Sequence, residues 1–237
     1  MTRHLAIALL VLGACTFEHG AAQSDFGPDA GTVGIDASDD SPPPLPDAPV
    51  VEPDAPPGST PVTLSQNTSN TVSSGASVYC GNMQSTRDNA WYRAFKVSDY
   101  GVTGTLHISR VTFGVEGSKG ATVRIAIHEY TGTVGSTLDL SKMTELSAKT
   151  GTLPDNATPI VALFSVDVPA SSTIVLEVKG QDTLNGGGFV TSYLHIGANG
   201  AGQSGSTYWR SAACGVGTPT SQGGSHHVIL WMDGMYQ

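Results

Sequence analysis

Residues 121–130, ATVRIAIHEY, alternate apolar and polar side chains with a period of two. Val123, Ile125 and Ile127 point one way and Thr122, Arg124, Ala126 and His128 the other, the pattern of a strand with one face in a core. STIVLEVKG repeats it, with Ile174, Leu176 and Val178 inward and Glu177 outward. WYRAFKV sets Trp91, Phe95 and Val97 on one face, with Arg93 as a polar interruption. Further strands are expected at Val62–Leu64, Leu106–Val115, Ile160–Val168, Gly188–Ile196, Thr207–Arg210 and His226–Met232, between runs of Gly, Ser, Thr, Asn and Asp. In the second of these, Leu106 and Ile108 share a parity that Val111, Phe113 and Val115 do not, which predicts a bulge near Ser109-Arg110. No long 3.6-residue periodicity appears; DLSKMTELSAK supports one turn of helix. The expected fold is therefore all-β, a single antiparallel β-sandwich of jelly-roll or Greek-key type over residues 61–237. Parallel βαβ architecture lacks its crossover helices here. A chain of that length buries roughly 70% of its unfolded surface, enough for one core.

The first sixty residues are of a different kind. Arg3 and His4 precede the apolar run Leu5–Leu12, and the small pair Gly13-Ala14 leads to Cys15. A positive start and a short apolar block have the form of a secretory signal, and the block is far below the roughly 20 residues that a membrane-spanning helix needs. From Thr16 to Thr60 there are nine acidic residues and no Lys or Arg, together with nine prolines. Such a segment cannot bury enough apolar surface to offset its ordering entropy, so residues 15–60 read as an extended, self-repelling tether. The tether accounts for the formal net charge of -9. The remainder is nearly neutral, with no basic stripe for nucleic acid.

Leu12-Gly13-Ala14-Cys15 resembles the lipobox of bacterial lipoproteins. The resemblance implies a signal peptide over residues 1–14, diacylglycerol on the Cys15 thiol and acylation of the new amino terminus. Several acyl chains make a durable anchor, because each buried methylene contributes about 0.8 kcal/mol. Thr16 after the cysteine is similar to the outer-membrane address of enteric lipoproteins, and the implied location is a bacterial cell envelope. With Cys15 assigned to lipid, Cys80 and Cys214 remain as a pair in an oxidising compartment, most simply a disulfide. The rival reading, two metal-binding thiolates, lacks Cys-x-x-Cys spacing.

Several longer stretches carry a second resemblance: NAWYRAFKVSDYGVTGTLHISRVTFGVEG, VRIAIHEYTG, TIVLEVKGQD, YLHIGANGAGQSGSTYWRSAACG and GTPTSQGGSHHVILWMDG. In this order they resemble a β-sandwich domain of secreted and surface-anchored bacterial proteins. The matching positions are Tyr92, Arg93 and Phe95; Phe113, Gly114, Val115 and Glu116; Leu176, Glu177 and Val178; then Gly197, Asn199, Gly202, Ser204, Tyr208, Cys214, Pro219 and Thr220. These motifs are structural, and the resemblance implies accessory modules with no established reaction.

Catalytic patterns are incomplete. Gly202-Gln203-Ser204-Gly205 lacks the spacing of a nucleophile elbow, and His128-Glu129 has Gly132 where a zincin needs its second histidine. His226 and His227 fall on opposite faces of a strand, and Asp182 and Asn185 are too few for a calcium site. Asp88, Glu116, Glu129 and Glu177 are the carboxylates available for acid–base work, with nothing to rank them. No metal or cofactor is called for. Tyr208, Trp209 and Arg210 follow a Gly/Asn-rich loop containing Asn199, a set that fits sugar stacking and hydroxyl binding; equally, Tyr208 and Trp209 fit a core beside the Cys214 bridge. Three functions follow in order: a non-catalytic interaction or structural module displayed on a lipid anchor, with a glycan or an envelope protein as partner; a carbohydrate-binding module; and a hydrolase of unrecognised type.

Replacing Cys15 with Ala should abolish labelling by a palmitate analogue and release the protein from the membrane fraction. Continued labelling would refute the anchor.

Overall fold

The computed structural model describes residues 58–183, 192–224 and 226–237. The signal segment, Cys15, most of the tether and the expected start of a strand at Gly188 lie outside the described residues. Within them the fold is all-β, with three short 3₁₀ turns and no α-helix. One sheet has the order β1 (Thr60–Ser65), β16 (Leu230–Tyr236), β5 (Thr105–Phe113) and β9 (Ile160–Pro169). The other has the order β14 (Val216–Ser221), β13 (Thr207–Ser211), β4 (Ala90–Lys96), β10 (Thr173–Gly180), β7 (Thr122–Tyr130) and β8 (Met143–Thr152). Three short pairs complete the set: β2 (Gly81–Asn82) with β3 (Ser85–Thr86), β6 (Val115–Lys119) with β11 (Tyr193–Ile196), and β12 (Ala198–Asn199) with β15 (His227–Val228). All these pairings are antiparallel, and neither large sheet closes on itself.

The inward parities are those expected from the alternation. Ile108, Phe113 and Met232 of the four-stranded sheet share one hydrophobic cluster with Trp91, Phe95, Ile127 and Leu176 of the six-stranded sheet. Each such side chain contributes roughly 1.5–3 kcal/mol on burial. The bulge falls at Ser109: the ladders of β5 shift between Ile108 and Arg110 on one side and opposite Asp233/Gly234 on the other. That extra residue lets Ile108 and Val111 both face the core. Residue 234 must be glycine there, since a Cβ would stand 2.3 Å from the His107 carbonyl oxygen.

The central strands of the six-stranded sheet are buried on both faces. Residues 131–142 run across their outer side, with Leu138 fully buried among Tyr92, Tyr130, Val175 and Tyr208. The Leu138 N–H donates to the Pro219 carbonyl (3.0 Å), and the Tyr208 hydroxyl to that of Gly135 (2.8 Å). This cover explains why WYRAF and TIVLEV read as nearly continuous apolar runs.

Arg93 departs most from its expected reading. It lies on the same face as Trp91 and Phe95 and is fully buried. Its Nε and Nη2 donate to the Val228 carbonyl, Nη2 also to the Gln203 side-chain oxygen, and Nη1 to Gln66 Oε1 and the Gly205 carbonyl. Five N–H groups thus meet four neutral oxygens from three separate stretches of chain. Burial pushes the guanidinium pKa down to about 10, which still leaves it charged at neutral pH.

DLSKMTELSAK supplies a 3₁₀ turn at Leu140–Lys142, but the rest of it enters the ten-residue strand β8, where the sequence suggested only helix. β8 is an edge strand, mostly exposed, and its ladder to β7 shifts between Ile127 and His128. Exposure and the bulge together erase the alternation that marks the other strands.

Cys80 and Cys214 form a disulfide, with Cα atoms 6.0 Å apart. Asn89, fully buried, accepts from the Cys80 N–H (2.6 Å) and the Trp209 indole N–H (3.0 Å) and donates to the Cys80 carbonyl. The bridge joins points 134 residues apart. Replacing both cysteines with Ser should lower the unfolding free energy in urea melts by about 2–4 kcal/mol; an unchanged midpoint would contradict a stabilising bridge.

Candidate functional site

The outer face of the six-stranded sheet carries the polar side chains of the central strands. Register places Glu177 of β10 beside Tyr92 of β4 on one side and Ala126 of β7 on the other, with Arg124 and His128 one step along in each direction. The small Ala126 leaves room for both to lean onto the carboxylate. The Tyr92 hydroxyl donates to Glu177 Oε1 (3.0 Å); Arg124 Nη1 donates to Oε2 (3.2 Å), and His128 Nε2 lies 3.0 Å from the same oxygen. Arg124 also bridges to Glu145 on β8. Glu177 and His128 are each 8% exposed.

Burial alone would raise the Glu177 carboxyl, but hydrogen bonds from His128 and Tyr92 and the charges of His128 and Arg124 outweigh it, so the group is held below its ordinary value. The Tyr92 phenol is raised well above its ordinary value by burial and then by Glu177, with Arg210 acting in the opposite sense. The result is an ionised carboxylate with both oxygens engaged, beside a phenol that keeps its proton.

Two clefts flank this network. One, of about 500 Å³, is lined by Gln66, Ala94, Lys96, Asp99, Tyr100, Val134, Thr173 and Ser204. The Gln66 amide donates to the Ala94 carbonyl at this cleft (2.7 Å). The other, of about 200 Å³, is lined by Thr122, Arg124, Thr150, Lys179 and Gln181 with Val123 and Gly180.

The set Tyr208, Trp209, Arg210 and Asn199 is divided among different surroundings. Trp209 pairs with Trp91 across the ladder, is 6% exposed, and sits in the core beside Asn89 and the disulfide. Asn199 is 3% exposed; its amide donates to the Ser69 and Thr71 carbonyls and stitches its loop to the segment after β1. Tyr208 lies on the outer face beneath Gly135, and Arg210 Nε donates to the Gly217 carbonyl (3.1 Å). Only Tyr208 and Arg210 share the face that holds Glu177.

The other three carboxylates serve the backbone and hydroxyls nearby. Glu116 accepts from the Gly75 and Ser77 N–H groups, Asp88 from Ser211 and the Ala213 N–H, and Glu129 from the Ser172 hydroxyl. His227 lies on β15 paired with Asn199, and its imidazole is lowered by burial and by the charges of Arg93 and His226. Among the described residues no three His, Cys, Asp or Glu side chains are grouped to hold a metal ion, and no helix is long and apolar enough to cross a membrane. The Glu177 network is absent from any linear motif because its members lie up to 85 residues apart. Its one trace in the sequence is that Tyr92, Arg124, His128 and Glu177 all occupy the outward parity of their strands.

Because Glu177 is held below its ordinary value of 4.5, its contribution is complete above that pH and is lost as pH falls through the lower, folded-state value. Glu177→Gln should cost about 2 kcal/mol at neutral pH. The gap between variant and native protein should narrow on acidification, as read from urea melts at a series of pH values. A gap that widens in acid would contradict the network. Compared with protein-family models, curated proteins and solved structures, the chain finds no match.

Proposed function

We propose that the chain is a lipoprotein of a bacterial envelope: lipidated at Cys15, extended on its acidic tether, and presenting residues 61–237 as a single antiparallel β-sandwich that acts by binding rather than by catalysis. The carrying observation is the state of Glu177. Three titratable partners surround its carboxylate, and both its oxygens are occupied while it is held ionised. A general acid or base needs a pKa near working pH and an oxygen free to exchange a proton; this group suits a rigid, charged floor. The two clefts beside it give the face relief for a partner. The core shared by the two large sheets supports the sandwich, of jelly-roll or Greek-key type, and the lipobox resemblance and the apolar run behind it support the anchor.

A carbohydrate-binding module is the second reading, favoured by the Ala94 cleft. Its Tyr100 ring, with Gln66, Asp99, Lys96, Thr173 and Ser204, offers an aromatic surface with donors and acceptors around it. On this reading the sugar site lies there, since Trp209 is committed to the core.

A photoreactive residue at Thr173, in the larger cleft, should cross-link to an envelope component in intact cells that make the protein, and one at the exposed Val161 of β9 should not. Equal labelling from both positions, or none from Thr173, would contradict binding through this face. Turnover of a glycan or ester substrate by the purified chain, lost in Glu177→Gln, would contradict the non-catalytic reading.

A further inference from the structure

The smaller cleft has a chemistry that the Glu177 network does not explain. Lys179 on β10 stands directly opposite Arg124 on β7. Like charges facing each other across an antiparallel pair are destabilising, and this pair sits half-buried between two inner strands, near the end of β10. Arg124 is compensated by Glu177 and Glu145. Lys179 has no carboxylate within ion-pair distance among the described residues. The cleft therefore offers the Lys179 ammonium beside a guanidinium that two glutamates hold in place.

Around them are Thr122, Thr150 and Gln181. Two hydroxyls and an amide supply both donors and acceptors within reach of one small ligand. Thr150 lies opposite Arg124 on β8, and the same cross-strand row continues through Ala90 to Arg210, two strands beyond Lys179. At about 4.8 Å per strand, Arg210 is roughly 10 Å from Lys179, on the same face.

We infer that the Arg124–Lys179 cleft binds an acidic sugar, the carboxylate of a uronic acid residue lying between the two cations and its hydroxyls meeting Thr122, Thr150 and Gln181, as one unit of an anionic polysaccharide whose next acidic group falls toward Arg210. The inference rests on the reading of this face as a binding surface and names the ligand class for its smaller cleft.

The test is titration calorimetry of the full chain, in detergent at low salt, with three probes: an oligogalacturonate, its neutral methyl ester and a poly-aspartate peptide of matched charge. The expected result is saturable binding of the oligogalacturonate alone, weakened at least tenfold by Lys179→Met and again by raising the salt to about 0.5 M. Thr150→Val should weaken it severalfold while leaving the thermal midpoint in place, which separates ligand loss from unfolding. Inorganic phosphate should compete only at far higher concentration. Equal binding of the neutral ester would show that the cations are not the recognition element, and equal binding of poly-aspartate or phosphate that any anion suffices; either overturns the inference. So does the absence of saturable oligogalacturonate binding, or its persistence unchanged in Lys179→Met. These failures leave the Thr173 cross-linking result untouched, so the ligand assignment and the wider reading fail separately.

Discussion

A fully buried guanidinium with no carboxylate within ion-pair distance among the described residues ties separate parts of this fold together. Taking a charge out of water costs several kcal/mol unless hydrogen bonds replace hydration, and Arg93 recovers them from neutral oxygens alone. The donors of its planar fork reach the Val228 carbonyl on β15, the Gln203 amide and Gly205 carbonyl of the 199–205 loop, and Gln66 after β1. Arg93 itself belongs to the six-stranded sheet, whereas β1 is an edge of the four-stranded one. One side chain thus ties a strand of one sheet to the segment leaving the other and to the loop between β12 and β13. The residual charge is felt nearby, where it helps to lower the His227 imidazole.

The Gly/Asn/Gln/Ser-rich loop takes its meaning from that cage. Gln203 accepts from both Arg93 and Thr207, Ser204 N–H donates to the Gln66 carbonyl, and Asn199 is bound to the Ser69 and Thr71 carbonyls. Read from sequence, the loop and the aromatic pair after it suggested a sugar site. In the fold the loop is a clasp, Trp209 packs beside the disulfide, and the open face lies on the other side of β13. This division follows from strand parity: Tyr208 and Arg210 project outward and Trp209 inward.

Strand positions and inward faces were legible wherever one side of a strand is wet, as in β9, and the parity change in β5 located its bulge at Ser109. β8 escaped because an exposed edge strand has little apolar face to alternate. Arg93 read as an interruption because a charge at an inward position has no linear sign of its acceptors. The Glu177 network escaped for a related reason. Its residues could be assigned to outward parity, but their meeting depends on the order β4-β10-β7, which no local pattern encodes. That order also places Lys179 against Arg124, so the Glu177 network and the cation pair are products of one topological fact.

Arg93 acts through its five directed donors rather than through its charge. The most direct measurement is the urea-unfolding free energy of Arg93→Lys at neutral pH, compared with the native chain. Lysine keeps the charge and most of the stem but has three donors in a compact head, and so leaves at least one of the four buried acceptors unmet and loses the planar fork geometry. The predicted result is a loss of about 3 kcal/mol or more. A variant within about 0.5 kcal/mol of the native protein, no more than an ordinary surface substitution, would contradict the claim that this guanidinium and its neutral cage hold the fold together.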